Sequence, residues 1–266
     1  MPVFRHALAA SALTAALAFA PASDAEEPAA PAAKEQKSAE PTVAQSKAAR
    51  ARKAPKGSGS AKPAAEAPEV KKGRLLAGRV QKYYGRSKDF SAAFAQRYSY
   101  LALGRVDEKT GLVQVKKPGL VRWEYKTPES KLLVLDGSAF WQWAPEDNQV
   151  VVKRNVQATE LSSAFTFLWG KGDLLAEFSP KAIALPDGMA NTKGEALELL
   201  PKKPGGSVQK LVFSVDAKGQ VVASQVTDAQ GNENRLVFSE AKVDQKLPDA
   251  LFKFEVPKGA SVQELP

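Results

Sequence analysis

The sequence predicts a mainly β fold with helices: one antiparallel sheet, strongly curved or barrel-like, with two helical pieces placed to cover an open face. Three observations predict it. Short segments of alternating apolar residues recur at intervals of about 8 to 12 residues, separated by Gly, Asn and Asp turn signals. One helical period precedes them, and one mid-chain stretch breaks the strand pattern. The core-forming residues are also confined to one part of the chain. All four Trp, all five Tyr and ten of the twelve Phe lie beyond residue 72, leaving 192 positions from Leu75 to Pro266 for one domain.

Taken in order, Met1 to Ala25 reads as a secretory signal. Arg5 supplies the positive start, Ala7 to Ala20 is the apolar run, and Ala20-Pro21-Ala22 and Ser23-Asp24-Ala25 offer small-residue cleavage sites. The run is about 14 residues, short of the roughly 20 of a membrane span. Residues 26–72 read as a disordered linker. From Ser23 to Lys72 there are fifteen Ala, six Pro, ten Lys plus Arg and no Phe, Trp, Tyr, Ile or Leu. Such a segment buries too little apolar surface to offset its ordering entropy. The domain is expected at 73–266. Leu75, Leu76, Arg79, Val80, Tyr83 and Tyr84 recur with helical spacing, with Gly85 as a stop. Strands are expected at Phe90 to Tyr100, Leu112 to Val115, Leu120 to Tyr125, Lys131 to Leu135, Ala139 to Trp143 and Gln149 to Lys153. Further strands are expected at Glu195 to Leu200, Gln209 to Val215, Val221 to Val226, Arg235 to Val243 and Phe252 to Val256. Between them, Ser162-Ser163 caps a predicted helix through Phe165, Phe167, Leu168 and Trp169. It is interrupted at Gly170-Lys171-Gly172, with Leu174, Leu175 and Phe178 beyond.

Composition excludes much chemistry. The 266 residues carry a net charge of +9, no Cys, and one His, His6, which a cleaved signal would remove. Disulfide scaffolds, Cys or His nucleophiles and Cys/His zinc sites are therefore excluded. Gly170-Lys171-Gly172 lacks the phosphate-loop frame, and Asp136-Gly137-Ser138 reads as a hairpin turn with no His to activate the Ser. The basic run Lys47 to Lys53 has no interleaved aromatic, so nucleic acid is not expected as a partner. Neither enzymatic activity, a cofactor nor a metal is expected. Val121, Trp123 and Tyr125 point to one face of a strand and Leu120 to the other. Periodicity leaves open whether that aromatic face is a packed core or lines a lipid-sized cavity.

The order of motifs resembles the LolA family of periplasmic lipoprotein carriers. Gln114-Val115-Lys116-Lys117-Pro118-Gly119-Leu120-Val121-Arg122-Trp123 is similar to its K-R-P-x-L-x-x-W signature, and Leu133 to Trp141 to its L-V-S-D-G-x-x-L-W hairpin. Phe90-Ser91-Ala92-Ala93-Phe94-Ala95-Gln96 resembles its first strand, Ala164 to Leu168 its lid helix, and Phe252 to Gly259 its closing F-x-F-x-P-x-G segment. The resemblance implies an incomplete barrel, or half-barrel, under a helical lid that encloses an apolar cavity for acyl chains. Leu76, Val80, Val121, Trp123, Tyr125, Phe165 and Leu168 would line that cavity. The family Arg that bonds to the lid is Lys117 here, a point charge without the guanidinium fork. Implied partners are acylated lipoproteins, an inner-membrane lipoprotein-releasing ABC transporter and a LolB-like outer-membrane acceptor. LolB itself is acylated on a Cys, whose absence favours the soluble carrier, expected as a periplasmic monomer. The rival readings are an RseB-like lipoprotein sensor, a carrier of another envelope lipid, and an envelope enzyme working through carboxylates.

Overall fold

A computed structural model of the protein describes residues 66–156, 173–203 and 205–266. The expected signal at 1–25, most of the 26–72 segment, and the expected helix carrying Phe165 and Leu168 lie outside the described residues. Helix α1 spans Pro68–Arg86 and so begins inside the segment read as linker. Pro68 sits in the first turn, where its missing N–H costs nothing, with Glu69 beside it, and Arg86 lies in the last turn, matching the helix dipole. Gly73, Leu76, Ala77, Val80 and Tyr84 form its buried stripe.

Twelve strands form a single sheet. They are β1 (Asp89–Tyr100), β2 (Arg105–Lys116), β3 (Leu120–Thr127), β4 (Lys131–Leu135), β5 (Ala139–Ala144), β6 (Gln149–Arg154), β7 (Phe178–Ile183), β8 (Glu195–Pro201), β9 (Val208–Val215), β10 (Val221–Asp228), β11 (Glu233–Val243) and β12 (Ser261–Leu265). Their order is β12-β6-β5-β4-β3-β2-β1-β11-β10-β9-β8-β7. The sheet does not close, since β12 and β7 are its two edges. Every pairing is antiparallel except β12 on β6, which is parallel.

Three local expectations need correction. Phe252 to Val256 is not a strand. Asp249–Phe252 is a short 3-10 turn, Phe252 is buried, and the Phe254 ring stacks 5.3 Å from Trp141. The alternation of that segment reports two anchoring rings, while the backbone pairs only later, at β12. The helical piece after Gly172 is also shorter than expected. Helix α2 spans only Leu174–Glu177, capped by Asp173 Oδ1, which accepts from the Leu175 and Ala176 amides at 2.9 and 3.1 Å. Phe178 instead opens β7, because Pro180 forbids a continued helix and is tolerated on an edge strand. The sheet is therefore not wholly antiparallel, and two strands, β7 and β12, were not expected at all.

Helix α1 lies against β7 and β8 through a very close approach at Gly73. A Cβ there would fall 2.6 Å from the Lys181 Cα and backbone nitrogen. We expect Gly73→Ala to lower the urea midpoint. Alanine improves helix propensity by about 1 kcal/mol, but overpacking against immovable backbone costs about 1–3 kcal/mol. A raised midpoint would mean that α1 does not dock on β7.

Candidate functional site

The site is built outward from β1 and β3, whose alternation turns one side chain in two toward the same face. On β1, Phe90, Ala92, Phe94, Gln96 and Tyr98 are buried. Gly111 on β2 pairs with both Phe94 and Tyr125. Its missing side chain leaves the space that the Phe94 ring fills, since a Cβ would fall 2.6 Å from Phe94 Cζ. Phe94 therefore sits 4.5 Å from Trp123 and 5.4 Å from Tyr125, ring centre to ring centre. Across β3, Val121 and Trp123 pair with Leu135 and Leu133 of β4, and Leu135 pairs in turn with Phe140 of β5.

Five of the seven expected lining residues fall among the described residues, and the structure brings all five into one apolar cluster. Leu76 and Val80 of α1 are 1% and 0% exposed, Trp123 and Tyr125 are 5% and 8% exposed, and Val121 is half-buried at its rim. Phe165 and Leu168 lie outside the described residues. Sequence reasoning missed Phe94, Leu133, Leu135 and Phe140 as members, although their alternation was visible. A cleft of about 580 Å³ lies elsewhere, bounded by Ala176, Phe178, Pro201, Lys202 and Val208, and none of the expected residues lines it.

Polar groups inside the cluster are few. Gln96 Nε2 donates to Asn234 Oδ1 at 2.9 Å. Burial pushes the Tyr125 hydroxyl above the ordinary phenol range, partly offset by hydrogen bonds with the Gln96 and Trp123 side chains. The Tyr84 hydroxyl, raised by burial likewise, accepts from the Val221 amide at 3.2 Å. Among the described residues no group of His, Cys, Asp and Glu is placed to hold a metal ion.

Lys117 sits at the turn between β2 and β3, before Pro118, and its Nζ donates to the backbone carbonyl of Tyr84 in the last turn of α1. That carbonyl is one of the helix-end acceptors without an intrahelical donor, and the ammonium also complements the negative end of the helix. Burial lowers the Lys117 ammonium below its usual range, opposed by the Asp244 carboxylate. Its neighbour Lys116 points elsewhere and holds the 3-10 turn through the Leu247 carbonyl and Asp249, at 2.7 and 2.5 Å.

The sequence profile of the LolA family, outer membrane lipoprotein carrier protein LolA, matches residues 86–255. The chain belongs to the LolA family. Outer-membrane lipoprotein carrier proteins of Chromobacterium violaceum and Vibrio parahaemolyticus are 31% and 29% identical to it. The first alignment covers 66% of this chain and 81% of that protein, the second 70% and 84%. A solved LolA superfamily protein from Nitrosomonas europaea aligns with a TM-score of 0.37 at 14% identity, over 68% of this chain and 97% of that one. MucB in its complex with MucA aligns at 0.33 and 15%, over 70% and 62%. The LolA match contains Lys117, Val121, Trp123 and Tyr125, whereas Leu76 and Val80 precede it.

If Trp123 is packed on all sides as its burial indicates, Trp123→Ala removes a large buried ring and costs about 3–5 kcal/mol. Urea unfolding followed by circular dichroism measures the loss. A loss below about 1 kcal/mol would show the indole bordering open space.

Proposed function

We propose that the protein is a periplasmic carrier that shields the acyl chains of lipoproteins and ferries them from the inner to the outer membrane. The observation that carries this reading is the continuous apolar cluster on one face of an unclosed sheet, with an aromatic patch at Phe94, Trp123 and Tyr125. Membership of the LolA family supports it. In this reading the described state is the closed one. Helix α1 is part of a lid, and Leu76, Val80, Val121, Trp123 and Tyr125, with Phe165 and Leu168, become cavity lining when the lid moves. The donor would be an inner-membrane lipoprotein-releasing ABC transporter and the acceptor a LolB-like outer-membrane protein. The carrier would work as a monomer and without catalysis.

Magnitudes favour a carrier with a modest latch. Exposing one acyl chain of about 15 methylenes to water costs roughly 12 kcal/mol, so unassisted transfer is negligible. The polar clasps around α1 are much weaker, and the apolar area of its buried stripe, Leu76, Ala77, Val80 and Tyr84, is what entering chains would replace. Lys72 and Arg79 meet Glu195 at 2.7 and 3.2 Å, with all three side chains more than a third exposed. Such pairs contribute about 0–1 kcal/mol each. The Tyr83 hydroxyl adds one bond to Gln220 at 2.8 Å. Acyl chains entering the cluster would offset the loss of these clasps, and release would restore them.

Native mass spectrometry of the protein purified from its own periplasm tests the reading. Acylated polypeptide bound one to one is the expected result, whereas free lipid alone would point to a carrier of another envelope lipid. A second test addresses the latch. Lys117→Leu should speed transfer of cargo from loaded carrier to acceptor vesicles by about tenfold, the equivalent of one lost charge-assisted bond. Lys117→Arg should keep transfer near the native rate. Equal rates for all three proteins would leave Lys117 without a gating role.

A further inference from the structure

The β1–β2 hairpin ends in an apolar tip that no part of the carrier reading uses. Residues 101–104 form its turn, with Gly104 at φ +59°, the left-handed region that favours glycine. Leu101 and Leu103 are 70% and 64% exposed, and Val106 is 41% exposed. Ala102 between the leucines is exposed too. From Tyr98 to Gly104 there is no charged residue. Scattered exposed leucines are ordinary, but two in one turn with a valine beside them form a contiguous patch.

The backbone holds this tip out from the sheet. On one flank, β3 pairs with β2 only as far as Thr127 opposite Thr110, so Arg105 to Lys109 run on without a β3 partner. On the other flank, Asn232 Oδ1 accepts from the Leu101 amide at 3.0 Å and fixes the turn. Behind the leucines stand two tyrosines, Tyr98 and Tyr100, with ring centres 4.5 Å apart. The Arg105 guanidinium lies 4.7 Å over the Tyr100 ring and is held by both oxygens of Asp107, at 2.9 and 2.8 Å.

We propose that this tip inserts into the interfacial zone of an anionic lipid bilayer. The groups are layered as a membrane surface is layered: aliphatic side chains foremost, then the partly exposed Tyr100 ring at headgroup depth, with the Arg105 guanidinium over that ring at phosphate level. The tip is a convex turn and offers no groove for a partner's segment. A chain of net charge +9 complements an anionic surface. The contact is independent of what the apolar cluster holds, because it brings the protein to a membrane and does not bind cargo.

The chain has no Cys, so Leu103→Cys accepts a single environment-sensitive fluorophore at the tip. Lys218→Cys, exposed in the β9–β10 turn at the opposite end of the sheet, is its control. With vesicles of phosphatidylethanolamine and phosphatidylglycerol, the label at 103 should shift to the blue and be quenched by lipid-borne nitroxide. The label at 218 should do neither. In the unlabelled full chain, Leu101→Asp with Leu103→Asp should reduce flotation with the same vesicles by about tenfold or more. Its thermal unfolding should stay close to that of the native protein, since both leucines are mostly exposed. The N-terminal segment is common to both proteins, so the difference reports the tip. Equal shifts at 103 and 218, equal flotation, or binding only to vesicles that carry a membrane protein would each overturn the proposal.

Discussion

A sheet that does not close leaves an apolar face that only side chains from elsewhere in the chain keep from water. Here that face runs without a break from Phe140 on β5 to Leu197 on β8, and the other structural features answer to it. Helix α1 covers the β7–β8 side, which is why its stripe is Gly73, Leu76, Ala77, Val80 and Tyr84, while its outer face is mostly charged, with Leu75 exposed on it. Gly73 sets how closely the helix approaches. Lys117, Glu195 and Gln220 hold the helix by polar bonds around its edge.

The opposite face is covered differently, by the C-terminal segment. The C-terminal segment crosses β3 to β6, anchored by Phe252, by Phe254 against Trp141, and by Lys116 at Asp249. It ends as β12, whose parallel pairing with β6 blunts one sheet edge. At the other end, Met189 of the Asp187–Thr192 turn fills a second small cluster with Ala196, Val212 and Ala223. One face is thus sealed by chain with many bonded partners. The other is sealed in part by a single helix, held by its buried stripe, by the Tyr84 bond to the Val221 amide and by exposed ion pairs, the asymmetry expected of a protein that opens on one side only.

Much of this was legible in the residues. The strands from Phe90 to Lys153 and from Glu195 to Val243 follow from alternation and turn signals, and Trp123 and Tyr125 face inward as their spacing required. What was not legible has physical causes. The outer half of β2, Arg105 to Lys109, is exposed, so no burial imposes a pattern on it. Strand β7 carries a proline, and Phe252 and Phe254 alternate because they are anchors on one face. The role of Gly111 rests on its pairing with Phe94 and Tyr125, which the local pattern does not give. The donation from Lys117 to the carbonyl of Tyr84 spans 33 positions, and local pattern says nothing at that range.

The central claim is that acyl cargo enters the apolar face by displacing α1. It is tested most directly by preventing that displacement. Arg79 and Glu195 meet across the α1–β8 boundary at 3.2 Å, and the chain has no other thiol to compete. Arg79→Cys with Glu195→Cys, joined by a short cleavable bis-maleimide, should fail to take up a fluorescent diacylated peptide and should regain uptake once the linker is cleaved. Uptake by the linked protein at the rate of the cleaved one would contradict the account, because cargo would then enter without α1 moving.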